Sequence, residues 1–559
     1  MINTHYRSTA SPSKSNKDGS GLSALERLEA AGEELPVISD PATMFHDMTS
    51  KVPELADFIK KMSHRPLRVA TMCSGTESPL LALDKIADAT EKLFGSRLNV
   101  EHVFSCEIEP FKQAYIERNF SPPILFRDIR ELKDEQAYTA YGALVDVPGN
   151  VDMLIAGTSC VDYSNLNNEQ KGLNEQGESG QTFRGMKAWI IRCKPPVVIL
   201  ENVCGAPWNQ IVDDFKSFGY SADFVRLDTK RYYIPHTRTR VYLLAVLGDD
   251  KKVLSKWKEV VKQLERPSSS TLEAFLFDTD DPRVNKGRQD LALPGEKNIR
   301  AETDWGRCQS RHIRARVEEK LGQQRPFTHW DGGCQLPDYA WNDWGKAQTD
   351  RVLDLMDIDY LRLARDGVDS MHKTLVWNLS QNVDRTTGSV APGICPCLTP
   401  SMVPFVTNRG GPLVGIEALS LQGIPVDDLL LTRESENQMS DLAGNAMTTT
   451  VVGVCMLAAL TLMKNTIANH AENNKFAKKL SASSKEEKLK ITNVISKAEH
   501  ISKNTKVIGE NALKNEKLNL DMKFSGTMRS LLKDAHRSSR LCVCEAQSGT
   551  AMDIQRCQN

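Results

Sequence analysis

Cys160 follows an apolar run, Val151 to Ala156, in the loop Gly157-Thr158-Ser159-Cys160-Val161-Asp162-Tyr163-Ser164, which delivers a thiol from a strand end into a polar turn. A second apolar run, Pro196 to Leu200, ends in Glu201-Asn202-Val203 and brings a carboxyl group out of what the pattern predicts to be a neighbouring strand. A nucleophile beside an acid suits covalent attack on a ring that must be protonated as it is attacked. Arg238 and Arg240 alternate ahead of the apolar run Val241 to Val246, so both point to one face. Each group also has a plainer reading: the cysteine as core filler, Glu201 as a helix cap or ion-pair partner, the arginines as partners of acids along the sheet.

A second group of residues suits ligand binding. Met72-Cys73-Ser74-Gly75 turns out of a first strand into an apolar helix, an arrangement that lets a ligand approach backbone and helix N-terminus. Glu107-Ile108, at the end of a second strand, offers a carboxylate for ribose hydroxyls, and Asp128-Ile129 offers one for an adenine amino group. Taken singly each acid is as readily a surface residue or a cap. In order at successive strand ends they favour an adenosine-containing cofactor. Asn445-Ala446 precedes the apolar segment Thr448 to Met463, where Asn445 can cap a helix and still face a ligand.

These residues need a scaffold that aligns strand ends. Strand-like runs at Leu67–Met72, Val100–Ser105, Val151–Ala156, Val197–Leu200, Ala222–Leu227 and Arg240–Leu247 alternate with amphipathic stretches, which predicts an α/β fold with a mixed, mainly parallel sheet covered on both faces. The expected organisation is a leader over 1–34 and a first catalytic part over 35–248. A target-recognition insertion over 249–390 follows, with a returning catalytic part over 391–466. A basic linker over 467–540 and a cysteine-containing fragment over 541–559, worded like a truncated zinc finger, complete it. Cys542, Cys544 and Cys557 fall short of the four ligands a structural zinc needs, and no metal is assigned.

Composition narrows the classes. Of 559 residues 71 are Lys or Arg and 72 Asp or Glu, so no global basic excess announces a polyanion. Thirteen irregularly spaced cysteines and a polar start without a signal peptide predict reduced thiols inside a cell. The longest apolar segment, Thr450 to Met463, is too short to cross a bilayer, and no membrane partner is expected.

The ordered set of the Gly75 turn, Glu107, Asp128, the Cys160 loop, Glu201-Asn202-Val203, Pro235-His236-Thr237-Arg238-Thr239-Arg240 and Leu442-Ala443-Gly444-Asn445-Ala446 resembles the cytosine-5 DNA methyltransferases. The resemblance covers nearly all of residues 65–465. The wording of Gly411-Pro412-Leu413 to Leu421-Gln422-Gly423-Ile424-Pro425 is most similar to a fungal branch that includes members fused to a zinc finger and a Swi/Snf-type ATPase. It implies a Rossmann-like, S-adenosylmethionine-dependent methyltransferase fold with a smaller inserted recognition domain. It also implies C5 methylation of a flipped cytosine in double-stranded DNA and a place in the nucleus. Cys160, Glu201, Arg238 and Arg240 would then be catalytic, and Met72, Gly75, Glu107, Ile108, Asp128, Ile129, Asn445 and Ala446 would hold the cofactor.

Two alternatives stay open: the same chemistry on tRNA, and a catalytically idle DNA-binding scaffold. Three departures from the family pattern stand out: Ser159-Cys160-Val161 for Pro-Cys-Gln, His236 for glutamine, and Glu77-Ser78 where glycines are common. Asn165-Leu166-Asn167 with Gly177 to Phe183 reads as a polar closing lid or, more plainly, as a surface loop. Lys286, Arg288, Arg300, Arg307, Arg311, Arg314 and Arg316, interleaved with Trp305 and His312, read as a phosphate-facing surface, and the tryptophans at 330, 341, 344 and 377 as a small core. No Gly-x-x-x-x-Gly-Lys-Ser/Thr loop occurs, so if its relatives couple ATP hydrolysis to methylation this protein either does without, borrows an ATPase or chromatin partner in trans, or is an incomplete gene product.

Overall fold

The computed structural model describes residues 35–470, apart from 165–166, 168, 249, 293–298, 329–335, 341, 386, 389–392 and 469. The expected leader, nearly all of the basic linker, the cysteine fragment, Trp330 and Trp341 lie outside the described residues.

Strands β1 (Leu67–Met72), β2 (Val100–Cys106) and β3 (Leu125–Phe126) open the main sheet, and β4 (Gln136–Tyr138) and β5 (Leu144–Asp146) form a separate hairpin. Strands β6 (Met153–Ala156), β7 (Val197–Asn202), β8 (Tyr220–Asp228) and β9 (Thr239–Leu247) complete seven strands in the order β3-β2-β1-β6-β7-β9-β8. All run parallel except β9, which is antiparallel to β7 and β8. The central strands read as unbroken apolar runs because both faces are covered. Val197 and Ile199 join one core with the helices Pro41–Ser50, Ser78–Phe94 and Thr449–Leu462. Val198 and Leu200 join the other, with the helices Glu178–Cys193 and Trp208–Ser217.

Parallel strands end on the same edge of the sheet, so the turns after β1, β2, β6 and β7 gather there. Because β9 runs the other way, it is the start of that strand that reaches this edge: Val241 pairs with Asn202, and Arg240 lies one residue further on. Glu201 and Asn202 belong to β7 itself, a residue or two beyond the expected strand end.

The inserted domain has different limits from those read in the sequence. Residues just after 249 form the helix Lys251–Gln263, whose Leu254, Trp257 and Val261 make one apolar face buried with the catalytic core. Trp257 Nε1 donates to Cys455 O at 3.0 Å. The many charges here occupy the outer face of that helix and masked its role. The small domain has its own core of Ala315, Phe327, Trp344, Leu355, Ile358, Trp377 and Phe405, with the rings of Trp344 and Phe405 stacked at 5.7 Å. Phe405 lies on β11 (Pro404–Val406), between β10 (Val376–Asn378) and β12 (Gly411–Pro412), while Cys395, Leu398 and Met402, between β10 and β11, are already buried with the catalytic core.

Gly177 to Phe183 is no lid. Glu178–Cys193 is a helix that buries Ser179, Gly180 and Phe183. The Thr449–Leu462 helix is buried almost throughout. Together with the preceding helix it forms a stretch, Glu436–Leu462, that is long and apolar enough to cross a membrane, yet 89% of its apolar window is buried inside the fold.

Candidate active site

The Cys160 turn is pinned from two sides. Asn202 Nδ2 donates to Thr158 O at 2.8 Å and contacts Thr158 Oγ1 at 3.2 Å, tying the turn to β7. Asp162 and Ser179 exchange bonds: the Ser179 amide donates to Asp162 Oδ2 at 2.7 Å and the Asp162 amide donates to Ser179 Oγ at 3.0 Å. A Cβ on Gly177 would lie 2.3 Å from Asp162 Oδ2. The stiffness that a proline at 159 would give is supplied here by side chains. Cys160 is half-buried at the head of this turn, while Val161 is exposed.

Glu201 is 8% exposed, and Arg240 Nε stands 3.5 Å from its Oε1. Burial pushes the Glu201 carboxyl above the usual range, against the opposing pull of Arg240 and then Arg238. Burial also raises the Cys160 thiol, Glu201 adds to the rise, and Arg240 and Arg238 oppose it. The resting pair is thus biased toward a neutral thiol and a protonated acid, with one guanidinium against the carboxyl group. Such a set can donate a proton to a ring nitrogen while a thiolate, stabilised by Arg240 as it forms, adds to the ring.

Arg238 works differently from its neighbour. Its guanidinium is 3% exposed and donates to three carbonyls, Leu398 O at 3.1 Å, Gly444 O at 3.0 Å and Ala446 O at 2.7 Å. Nη1 and Nη2 are thus held on backbone while Nε is buried without a hydrogen-bond partner, and these bonds fasten the segments around Leu398 and Ala446 to the start of β9. His236 supports the same junction: Nδ1–H donates to Leu421 O at 3.1 Å, and Nε2 accepts from the Leu398 amide at 3.2 Å. Burial, and then the two arginines, keep this ring neutral, as the donor–acceptor pair requires. Gly444 is required by a close crossing, since a Cβ there would sit 2.2 Å from Pro400 N.

Next to Glu201 lies a cleft lined by Met72, Gly75, Gly157, Asn445 and Ala446 among others. Gly75 takes a left-handed φ of 52°, which a glycine adopts without strain. Its amide donates to Glu107 Oε2 at 2.8 Å, and Glu107 Oε1 accepts from the amides of Ile108 and Glu109 at 3.0 and 3.1 Å. Glu107 therefore clamps the turn. Asp128 is held by Arg130 Nη2 at 2.6 Å; burial raises its carboxyl, but the Arg130 bonds win and hold it below the usual range. Ile108 is 56% exposed beside the turn, whereas Ile129 is core at 5%. The structure thus gathers Met72, Gly75, Asn445, Ala446 and Glu201 on one cleft wall and leaves Glu107, Ile108, Asp128 and Ile129 off it. Asn445 Nδ2 donates to Asp441 Oδ1 at 3.0 Å, and Lys112 Nζ lies 2.7 Å from Asp441 Oδ2, which orients the amide.

The basic surface expected around Arg283–Arg316 is smaller than its sequence suggests. His312 and Arg316 are buried on Asp354, at 2.8 and 2.7 Å. Trp305 stands edge-on to His312 at 5.2 Å. Lys286 pairs with Asp290 at 2.5 Å, Arg314 with Asp384 at 3.4 Å, and Arg288 is half-buried against Gly411. Arg307 and Arg311 remain exposed, and the Arg300 side chain lies outside the described residues.

Asn202, Asp162 and Ser179, which pin the Cys160 turn, were not singled out in the sequence. Their signal was polar residues of capping type beside a strand end and a helix start.

Residues 68–459 match the family described as C-5 cytosine-specific DNA methylase. The chain is 52% identical over 545 residues to a DNA (cytosine-5-)-methyltransferase DMT5 of Cryptococcus neoformans, which takes in 96% of this chain and 22% of that protein. It is 33% identical over 462 residues to a protein of the same name from Verticillium dahliae, with 70% and 19% covered. The chain therefore spans about a fifth of the length of these relatives. Among solved structures, the Entamoeba histolytica methyltransferase EhMeth aligns at 14% identity with a TM-score of 0.39, covering 71% of this chain and 98% of that one.

Proposed function

The chain belongs to the C-5 cytosine-specific DNA methylase family, and we propose that it methylates cytosine C5 in double-stranded DNA. The observation that supports this most is the meeting of Cys160, Glu201 and Arg240 at one sheet edge beside the Gly75 cleft. Cys160 gives up its thiol proton to solvent and its thiolate sulfur forms a bond to C6 of the ring as Glu201 gives its proton to N3 and Arg240 holds the O2 oxygen. The electron pair released toward C5 makes that carbon nucleophilic. After methylation a base removes the C5 proton, the Cys160–C6 bond breaks and the thiolate leaves. Since C6 is shielded in a duplex, the cytosine must be flipped out, at about a few kcal/mol of stacking and pairing.

The cofactor read from the sequence is S-adenosylmethionine, which supplies an electrophilic methyl group when bound. The left-handed turn at Gly75, clamped by Glu107, and the wall of Met72, Asn445 and Ala446 fit it. Ile108 offers an exposed apolar surface for a ring, and Asp128 an acceptor it would share with Arg130. Nuclear localisation, membership of the fungal branch joined to zinc-finger and ATPase modules, and an ATPase or chromatin partner in trans belong to the same proposal.

Labelled methyl transfer to duplex DNA and to tRNA tests the substrate: incorporation into DNA is expected, and incorporation into tRNA alone overturns it. Trapping on DNA carrying 5-fluorocytosine tests the chemistry. A covalent adduct at Cys160 is expected; bound DNA and cofactor without an adduct would favour the idle scaffold.

A further inference from the structure

Glu77 belongs to the cofactor turn, and the proposed reaction leaves its carboxyl group unused. It is fully buried, at 0% exposure, and holds a left-handed φ of 53°, a conformation that costs a non-glycine residue about 1–3 kcal/mol. It precedes the helix Ser78–Phe94 but makes no capping bond to it. Its side chain turns instead into a cradle of hydroxyls. Thr71 Oγ1 donates to Glu77 Oε1 at 2.8 Å and Ser105 Oγ donates to the same oxygen at 2.5 Å. Ser74 Oγ lies 2.9 Å from Thr71 Oγ1 and extends the cradle.

The other oxygen, Oε2, is buried without a hydrogen-bond partner, and among the described residues no ion pair involves this carboxyl group. Its neighbours offer no cation. Glu107 is another acid, Tyr115 faces it as a phenol, and His102, reached through Ser105 at 3.2 Å, is kept neutral because burial pushes its ring down to about 4. Burial pushes Glu77 up to about 7, against the hydroxyl bonds that favour its charge. An acid so placed has its partner missing on one side, and an unpaired buried charge is among the costlier features a fold can carry. Thr71 and Ser74, which hold it, both line the cleft beside Glu201. The carboxyl group is thus one hydroxyl layer behind the cleft wall that the cofactor reading assigns to S-adenosylmethionine.

We propose that Glu77 is the counter-charge for the cationic methionine end of the cofactor, distinguishing the sulfonium of S-adenosylmethionine from the neutral thioether of S-adenosylhomocysteine. This rests on the cofactor reading above. The hydroxyl cradle keeps the carboxyl group aligned, and a positive charge arriving at the cleft supplies the partner that Oε2 lacks. The product has lost that charge and is held less tightly, which favours its release.

Calorimetric titration of the full chain with each of the two compounds, for wild type and Glu77→Gln, tests this. Wild type is expected to prefer the sulfonium, and Glu77→Gln to lose about tenfold or more of that preference, the effect of an opposite charge within a few ångströms, with little change toward the thioether. Equal weakening toward both compounds, or no change, overturns the counter-charge role and leaves Glu77 a structural plug. If wild type binds neither compound, the cofactor reading itself fails. A second measurement needs no variant: near neutral pH, binding the sulfonium compound should release more protons than binding the thioether, read by repeating the titration in buffers of different ionisation enthalpy. Equal release for the two would count against the proposal.

Discussion

Asp354, in the small domain, and Glu201, at the sheet edge, are both buried carboxyl groups, at 1% and 8% exposure, and they are driven in opposite directions. Asp354 accepts from His312, Arg316 and Arg325 at 2.8, 2.7 and 2.5 Å. Burial alone would raise it, but these three partners hold it at about 2. Glu201 has one guanidinium at 3.5 Å, and burial prevails. Full pairing makes an inert strut that locks the helix Ile299–Glu318 to the helix Asp350–Arg365. Incomplete pairing leaves the Glu201 carboxyl displaced toward its protonated form. The two regions use one residue class for rigidity and for reactivity, and the number of close partners decides which.

The largest effect should come from Cys160→Ala, which is expected to abolish both methyl transfer and trapping on 5-fluorocytosine DNA while DNA binding persists. Residual trapping would move the nucleophile elsewhere. Glu201→Gln should slow transfer by about 10²–10⁴-fold, the usual contribution of a general acid, with little change in the urea midpoint. Because the acid works protonated and its pKa is raised, the wild-type rate should fall as pH rises through that pKa, and the Gln variant should lack this limb.

Asp354→Asn should do the reverse. By leaving Arg316 and His312 buried without their anion it is expected to cost about 3–5 kcal/mol of stability, measured by urea unfolding. An Asp354 variant that is stable but slow, or a Glu201 variant that unfolds, would break the contrast between the two regions. In wild type the Asp354 contribution is present above the unfolded carboxyl range, near 3.8, and is lost as pH falls through the folded value of about 2. Acid unfolding should therefore steepen in that window for wild type and not for Asp354→Asn. The smallest effect belongs to Arg311→Ala, which should lower the salt dependence of DNA affinity by about one ion and leave the unfolding midpoint unchanged.

The sheet and the placement of Cys160 and Glu201 at its edge were legible because their signals are local. Five or six apolar residues ending in a reactive side chain identify a strand end wherever the strand lies in the fold. The limits of the small domain were not legible, since Trp257 and Phe405 declare their cores only through partners far along the chain. Arg238 shows the same limit: alternation with Arg240 placed both near the sheet edge, but its carbonyl partners are 160 and 206 residues away for Leu398 and Gly444. The arginines of the small domain misled for a related reason. Nothing in the sequence near His312 and Arg316 shows that Asp354 takes both out of solvent.

The segment around Leu398 leaves the small domain after β10 and re-enters it at β11. Between those points it is fastened to the catalytic core by His236 and Arg238, and Arg238 also grips Gly444 and, on the cleft wall, Ala446. A single planar guanidinium therefore acts as a rivet through two plates. Any rotation of the small domain must either shear those bonds or carry the wall of the cleft along with it.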